Sequence, residues 1–467
     1  MRANLGLIGL TLSLLASFPA MAATDEASAA ARGAYLAKAA DCAACHKAAN
    51  EDGEPYVGGY AIASPMGDII ASNITPSKAD GIGRYTQEDF KRALTEGIRK
   101  DGAHLYPAMP YTAYRGLTDD DIHALYVYFM NDVAPVDIPT PETDLAFPFN
   151  LRFGMAAWNA LFLDDPYTPS PDDSAKVDRG HYLVDTLGHC GSCHTPRNML
   201  MGERDDRYLA GASIEGWHAP NITSDPSGIG HWSEKELAEY LKTGHVTGKA
   251  QAGGGMAEAV ENSLRHLSDE DLHSIAAYLK QVPAISTGAP MNLEAIDTTV
   301  PPASLAELEP LRDNDPAAMA DGSSTDGQKL YQGACASCHQ IDGQGTDDAF
   351  YPSLVRNTAT RGEIPDNLIM AILHGVHRET NDYTVSMPAF AEELNDEQVA
   401  AVSNYVLARY GNADLQVDTA KVAALRAGGP TPWFVQATPW LLAAGTAVII
   451  LVLLGIGWFV MRRRKVH

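Results

Sequence analysis

The sequence predicts an all-α fold: three helical units in tandem, followed by one C-terminal transmembrane helix. Three observations carry that expectation. All six cysteines sit in three copies of Cys-x-x-Cys-His, at Cys42, Cys45 and His46, at Cys190, Cys193 and His194, and at Cys335, Cys338 and His339. The first two copies head an internal repeat with an offset of 147–148 residues. Pro439 to Met461 then holds 23 residues without a charge.

Cys-x-x-Cys-His is the attachment signature of c-type haem. Two thiols add across the porphyrin vinyl groups, and the adjacent imidazole ligates the iron. Zinc would want four ligands converging on one ion, but these pairs lie about 145 residues apart. A redox dithiol needs no His at the next position, and disulfide cysteines need no fixed spacing. Three covalently bound haem c groups are therefore expected.

Residues 1–22 read as a secretory signal, with Arg2, an apolar run from Leu5 to Leu15 and a small-x-small site at Ala20-Met21-Ala22. The first haem domain is expected over residues 24–133. Arg32-Gly33-Ala34-Tyr35-Leu36 lies on the helix leading into its cysteines and returns as Arg179-Gly180-His181-Tyr182-Leu183. Asn73-Ile74-Thr75 returns as Asn221-Ile222-Thr223, and Gly81-Ile82-Gly83 as Gly228-Ile229-Gly230. Thr86 with Asp89, and Ser233 with Glu236, are capping boxes that start a helix, ended by Gly97 and Gly244.

A Pro-rich linker, 134–178, leads to the second haem domain, 179–282; a second linker, 283–322, leads to the third, 323–411. The first linker carries an aromatic segment, Phe147 to Phe149 and Trp158 to Phe162, suited to packing on a haem domain or a partner. A closing helix starts in each domain at Thr118 with Asp121, Ser268 with Asp271, and Asn395 with Gln398. The third unit lacks the Asn-Ile-Thr and Gly-Ile-Gly elements. A helix, a haem motif, a loop region and a final helix across the first make the cytochrome c class.

Residues 412–438 read as a polar tether and 439–461 as the transmembrane helix, roughly 34 Å long at 1.5 Å per residue. Trp440 and Trp458 sit near its ends, and Arg462, Arg463, Arg464 and Lys465 follow. The positive-inside rule puts that tail, 462–467, in the cytoplasm and the haem domains in the periplasm of a bacterial inner membrane. Net charge is −25, and −30 without Arg2 and the basic tail. Such an acidic chain excludes nucleic acid as a natural partner.

A second axial ligand is expected on each iron, often Met, which raises the potential. Met109, in Tyr106-Pro107-Ala108-Met109-Pro110-Tyr111, is preferred over Met66 for the first haem. Met387, before Pro388, serves the third, because its rival Met370 sits in an apolar helical run. Met256 is assigned to the second on the repeat, with His245 or His266 as alternatives. The Thr195-Pro196 carbonyls are close enough in sequence to accept the other ring proton of His194.

These elements, with His194-Thr195-Pro196-Arg197 and Gly255-Met256-Ala257-Glu258-Ala259-Val260, resemble the membrane-bound tri-haem cytochrome c subunits of bacterial periplasmic dehydrogenases. That family serves gluconate, sorbitol, fructose, alcohol and aldehyde dehydrogenases, and the Met256 segment looks nearest the gluconate type. The resemblance supports Met109, Met256 and Met387 as axial ligands. It implies a separate catalytic subunit carrying flavin or pyrroloquinoline quinone (PQQ), room for a small third subunit, and ubiquinone as acceptor. It also implies that this chain has no substrate-oxidising centre of its own. Two other readings stand beside it: a tethered relay between respiratory complexes or to a terminal oxidase, and a haem enzyme with a displaceable ligand at Met256.

Overall fold

A computed structural model describes residues 18–50, 53–165, 168, 173–288, 323–346, 350–380 and 384–464. Most of the signal segment and residues 289–322 of the second linker lie outside the described residues. In the first unit α1 (Phe18–Ala39) runs into α2 (Cys42–Cys45); α3 (Gln87–Glu96), α4 (Tyr111–Tyr114) and α5 (Asp119–Asn131) follow. The first linker contains α6 (Gly154–Phe162). The second unit holds α7 (Ala175–His181, continued as a π-helix to Leu187), α8 (Gly191–His194), α9 (Glu234–Thr243), α10 (Gly254–Asn262) and α11 (Asp269–Leu279). The third holds α12 (Gly327–Ala334), α13 (Ala336–His339), α14 (Thr358–Arg361), α15 (Asp366–His374) and α16 (Asp396–Tyr410). Then come α17 (Thr419–Arg426) and α18 (Trp433–Arg464).

The described residues are mostly helical rather than wholly so. Four antiparallel ribbons interrupt the helices: β1 (Ala61–Ile62) with β2 (Ile69–Ile70), β3 (Ala212–Ile214) with β4 (Trp217–Ala219), β5 (His245–Val246) with β6 (Ala250–Gln251), and β7 (Val376–Glu379) with β8 (Thr384–Met387). Strands of two to four residues are too short to leave a period-2 pattern in the sequence.

In every unit the closing helix crosses the first helix at a glycine. A Cβ on Gly33 would come within 2.0 Å of Ala124 O, on Gly180 within 1.9 Å of Ser274 O, and on Gly327 within 2.3 Å of Ala401 O. Any side chain there would force the helices apart. The α3 and α9 capping boxes form as expected, and Gly97 and Gly244 end those helices at φ of 64° and 69°.

Units one and two share a single apolar core. Leu36, Phe90, Ile122 and Phe129 of the first pack in one cluster with Leu183, Leu187, Leu272 and Ile275 of the second. Unit three has its own, built on Tyr331, Ile369, Val399, Val406 and Tyr410. Each fully buried aliphatic side chain contributes roughly 2 kcal/mol, so the shared core makes the duplicated units one folded body.

Two carboxylates bind that body together in a two-fold manner. Asp121 accepts from Arg32 Nε of its own unit at 2.7 Å and from the Tyr182 hydroxyl of the other at 2.6 Å. Asp271 accepts from Arg179 Nε and Nη2, both at 2.8 Å, and from the Tyr35 hydroxyl at 2.6 Å. Thr118 and Ser268 still cap α5 and α11, but the acids at N3 do not complete a capping box. They are turned to the interface instead.

Burial alone would raise the Asp271 carboxyl, but hydrogen bonds from Arg179 and Tyr35 outweigh it and hold it below its ordinary range. A carboxyl depressed on folding contributes stability above its unfolded value of about 4, and loses it as pH falls through the lower folded value. The paired units should therefore lose thermal stability below about pH 4. Asp271→Asn should flatten that acidic limb of the midpoint-against-pH curve.

Within residues 412–438 the chain is not simply a tether. Val422 and Leu425 of α17 are buried in the unit-three core. Arg426 donates to Asp396, Ala391 O and Leu394 O, and Asn404 makes two hydrogen bonds to the Val417 backbone. At eight residues this helix makes barely two turns, too short for its buried face to be read as a period. In α18, Trp433–Ile456 is long and apolar enough to cross a membrane, with mean hydropathy 2.3 and none of the span buried. The helix begins six residues before Pro439.

Candidate haem-binding sites

Each cysteine pair lies on or beside one short helical turn, at α2, α8 and α13, which brings residues i and i+3 to the same face. All six cysteines are free of disulfide bonds. Burial pushes the thiols of Cys42 and Cys190 up to about 12, and those of Cys45 and Cys335 up to about 11. A reactive dithiol needs the opposite shift. No cluster of three or more His, Cys, Asp or Glu suited to a metal ion occurs among the described residues.

The three motif histidines are held alike. Nδ1 of His46 donates to Ser72 O at 2.6 Å, that of His194 to Pro220 O at 2.8 Å, and that of His339 to Pro352 O at 2.9 Å. A backbone carbonyl only accepts, so the ring proton is on Nδ1 and Nε2 keeps its lone pair. Burial lowers the pKa of all three rings, keeping them neutral as iron ligation requires. Paired thiols on one turn and an imidazole aimed through its Nδ1 fit covalently bound haem.

For His194 this overturns the expected Thr195-Pro196 carbonyl. Thr195 is buried and its hydroxyl accepts from Leu209 N at 3.0 Å, while Pro220 arrives from 26 residues away. Pro220 and Ser72 each immediately precede an Asn-Ile-Thr element. Asn73 Oδ1 accepts from Thr75 N and Oγ1 at 2.9 and 2.7 Å, and its amide donates to Val136 O at 2.8 Å. Asn221 repeats this with Thr223 and with Ile285 O at 2.7 Å. Gly81 and Gly83, like Gly228 and Gly230, pack against this turn too closely for a Cβ. The repeated motifs are thus a brace that fixes the carbonyl aiming the imidazole. Asn221→Ala should cost about 2–3 kcal/mol in the thermal unfolding of the paired units, and should shift the electron paramagnetic resonance signature of one haem while all remain attached.

Met109 and Met256 are partly buried against the shared core, and Met387 ends β8 opposite Val376. Met370 is 2% exposed in the unit-three core. Both ring nitrogens of His245 are engaged, Nδ1 with Gln251 and Nε2 with Thr247 Oγ1 at 3.1 Å; His266 Nε2 meets Glu261 O at 3.1 Å. The Met256 helix, α10, packs against α2 of unit one and against β7 of unit three. Burial, then Glu258 on that helix, pushes the Asp41 carboxyl up to about 8 beside the first cysteine pair. Helix α10 therefore touches all three units: its own, the first cysteine turn of unit one and the β7 strand of unit three.

Unit three is locked to unit two by Arg378, a residue to which the sequence assigned nothing. It is 0% exposed, and its guanidinium donates to Ala252 O at 2.8 Å and Gln251 Oε1 at 2.9 Å. Asn367 and the His218 backbone add a reciprocal pair of hydrogen bonds, both 2.8 Å.

The model of the cytochrome c family matches residues 30–131, 177–283 and 324–409. This chain belongs to the cytochrome c family. Among its relatives, the fructose dehydrogenase cytochrome subunit of Gluconobacter japonicus is 48% identical, over 93% of this chain and 91% of that one. The gluconate 2-dehydrogenase cytochrome c subunit of Pantoea cypripedii is 40% identical, over 85% and 89% respectively. The alcohol dehydrogenase (quinone) cytochrome c subunit of Gluconacetobacter polyoxogenes is 37% identical, over 96% and 94%. Covalently bound haem c follows for this cytochrome, in keeping with its cysteine turns.

Proposed function

We propose that this cytochrome is the electron-transferring, membrane-anchoring subunit of a periplasmic dehydrogenase complex. It accepts electrons from a separate catalytic subunit of flavin or PQQ type and delivers them to ubiquinone. The observation that supports this reading most directly is the likeness of the three motif histidines, each donating Nδ1 to a backbone carbonyl, in units packed together and followed by a membrane-length helix. The names of the three relatives given above, each a cytochrome subunit of a dehydrogenase, support it.

In this reading Cys42 and Cys45, Cys190 and Cys193, and Cys335 and Cys338 attach three haems in domains 24–133, 179–282 and 323–411. His46, His194 and His339 would hold the irons, with Met109, Met256 and Met387 as the candidate second ligands. Bound haem supplies reversible one-electron iron chemistry. The chain's own residues orient the imidazoles, exclude water from the sites and hold the units in contact. The haem domains face the periplasm, α18 crosses the inner membrane, and the basic tail is cytoplasmic.

Purification in mild detergent should yield a larger catalytic subunit and substrate-dependent ubiquinone reduction. Isolation as a free cytochrome, reduced only by a quinol-oxidising complex, would favour a respiratory relay instead. Cys190→Ser with Cys193→Ser should remove roughly one third of the haem measured as pyridine haemochrome. Met387→Leu should remove about one third of the Met–iron charge-transfer band and lower one potential.

A further inference from the structure

The first linker builds a surface that neither neighbouring unit needs for its own core. α6 has no fully buried residue, although eight of its nine residues, Gly-Met-Ala-Ala-Trp-Asn-Ala-Leu-Phe, are non-polar. It is nevertheless firmly seated. Asn159 accepts from the Tyr111 hydroxyl at 2.7 Å and donates to Glu96 O at 3.1 Å, both in unit one. Trp158 Nε1 donates to Leu200 O of unit two at 2.8 Å, and Phe162 lies against Gly202 so closely that a Cβ there would meet its ring at 2.4 Å. The helix is thus clamped across both units by its inner face.

The outer face is apolar and bare. Phe153, Ala157 and Leu161 fall at i, i+4 and i+8 on one stripe, with Phe153 74% and Leu161 67% exposed. The Met199–Leu200 turn, tied to the helix through Trp158, adds two more side chains at 67% and 59%. Contiguous exposed apolar area beyond a few hundred Å² marks an interaction site on a soluble domain.

The charge at the edge of this patch selects the occupant. α6 runs into Asp164 and Asp165, both exposed, with Asp205 close enough to repel Asp164. Burial and neighbouring acids raise the Asp164 carboxyl, and Glu203, also raised by burial, belongs to the same group; Arg115 beside Asp164 and Arg197 paired with Glu203 offset only part of the charge, so the rim stays acidic on balance. An anionic bilayer surface would be repelled by this rim, and so would a second copy of a chain of net charge −25. A protein with an apolar centre and a Lys- and Arg-bearing edge is the complementary surface.

We propose that the outer face of α6, with the Met199–Leu200 turn, is the docking surface for the catalytic dehydrogenase subunit, which meets it with an apolar patch edged by basic residues. The assignment rests on the function proposed above. It places the catalytic subunit across the seam of the paired units.

The full chain, expressed with its catalytic subunit, carries a photoactivatable benzoyl-phenylalanine in place of Leu161. Illumination is expected to cross-link it to the catalytic subunit. Phe153→Asp with Leu161→Asp is expected to lower co-purification of that subunit at least tenfold, with haem content and membrane retention unchanged; Phe153→Ser with Leu161→Ser serves if the first variant loses haem. Asp164→Lys with Asp165→Lys should also weaken the complex. Cross-linking only to lipid, to a second copy or back into the same chain overturns the proposal, as does undiminished co-purification of both apolar-face variants. If the unsubstituted chain brings down no catalytic subunit, the parent reading fails instead.

Discussion

Asp271→Ala should lower the thermal midpoint of the paired units by roughly 6–12 °C, corresponding to about 3 kcal/mol. The carboxylate is mostly buried, with a side-chain exposure of 10%. Its loss strands the Arg179 guanidinium, which is two-thirds covered, and the Tyr35 hydroxyl that crosses from unit one. Removing one partner of a buried charged pair costs more than the pair itself contributes. Asp121→Ala should cost somewhat less, because Arg32 is 57% exposed and can turn to water. Tyr35→Phe isolates the cross-unit bond and should cost about 1–2 kcal/mol. The losses in the Asp121, Asp271 double variant should be less than additive, since both residues hold the same seam. Calorimetry with the Soret band followed in parallel would check all four. Full additivity would mean that the two acids act independently.

Arg378→Ala should have the second large effect, and a different one. It leaves Ala252 O without its buried donor and opens a cavity where the guanidinium lay against Gly244. The expected cost is about 3 kcal/mol at the contact of units two and three. Units one and two keep their shared core, so their midpoint should hold while unit three loosens. The expected readout is protease cleavage within the described residues of unit three, roughly two orders of magnitude faster than in the unsubstituted chain. Arg378→Lys should recover only part of this, because an ammonium cannot present two parallel donors to Ala252 O and Gln251 Oε1. Unchanged cleavage would show that the Asn367–His218 contact suffices alone.

Much of the helical plan was legible because it is local. Capping boxes at Thr86 and Ser233, glycine stops at Gly97 and Gly244, and the charge-free run of α18 all act within a few residues. The repeat also announced Asn73 and Asn221 as important without saying why. Their role depends on Ser72 and Pro220 meeting histidines 26 residues earlier, a distance that no local pattern encodes. The Thr195-Pro196 carbonyls adjoin His194 in sequence, yet the carbonyl that meets its Nδ1 is that of Pro220, for the same reason.

The sequence by itself determined the chemistry: six cysteines and three histidines in one attachment pattern, an acidic body and a membrane-length helix with a basic end. Covalent attachment needs only residue identity and spacing within a single helical turn, so it can be read from five residues. Only the tertiary structure decided the assembly. It merged two of the three units around one core, turned the N3 acids of α5 and α11 from helix caps into bridges, buried Arg378 between units, and left α6 with a bare apolar face. Each of these depends on which side chains meet across more than forty residues of chain. That is settled by packing and desolvation, not by periodicity.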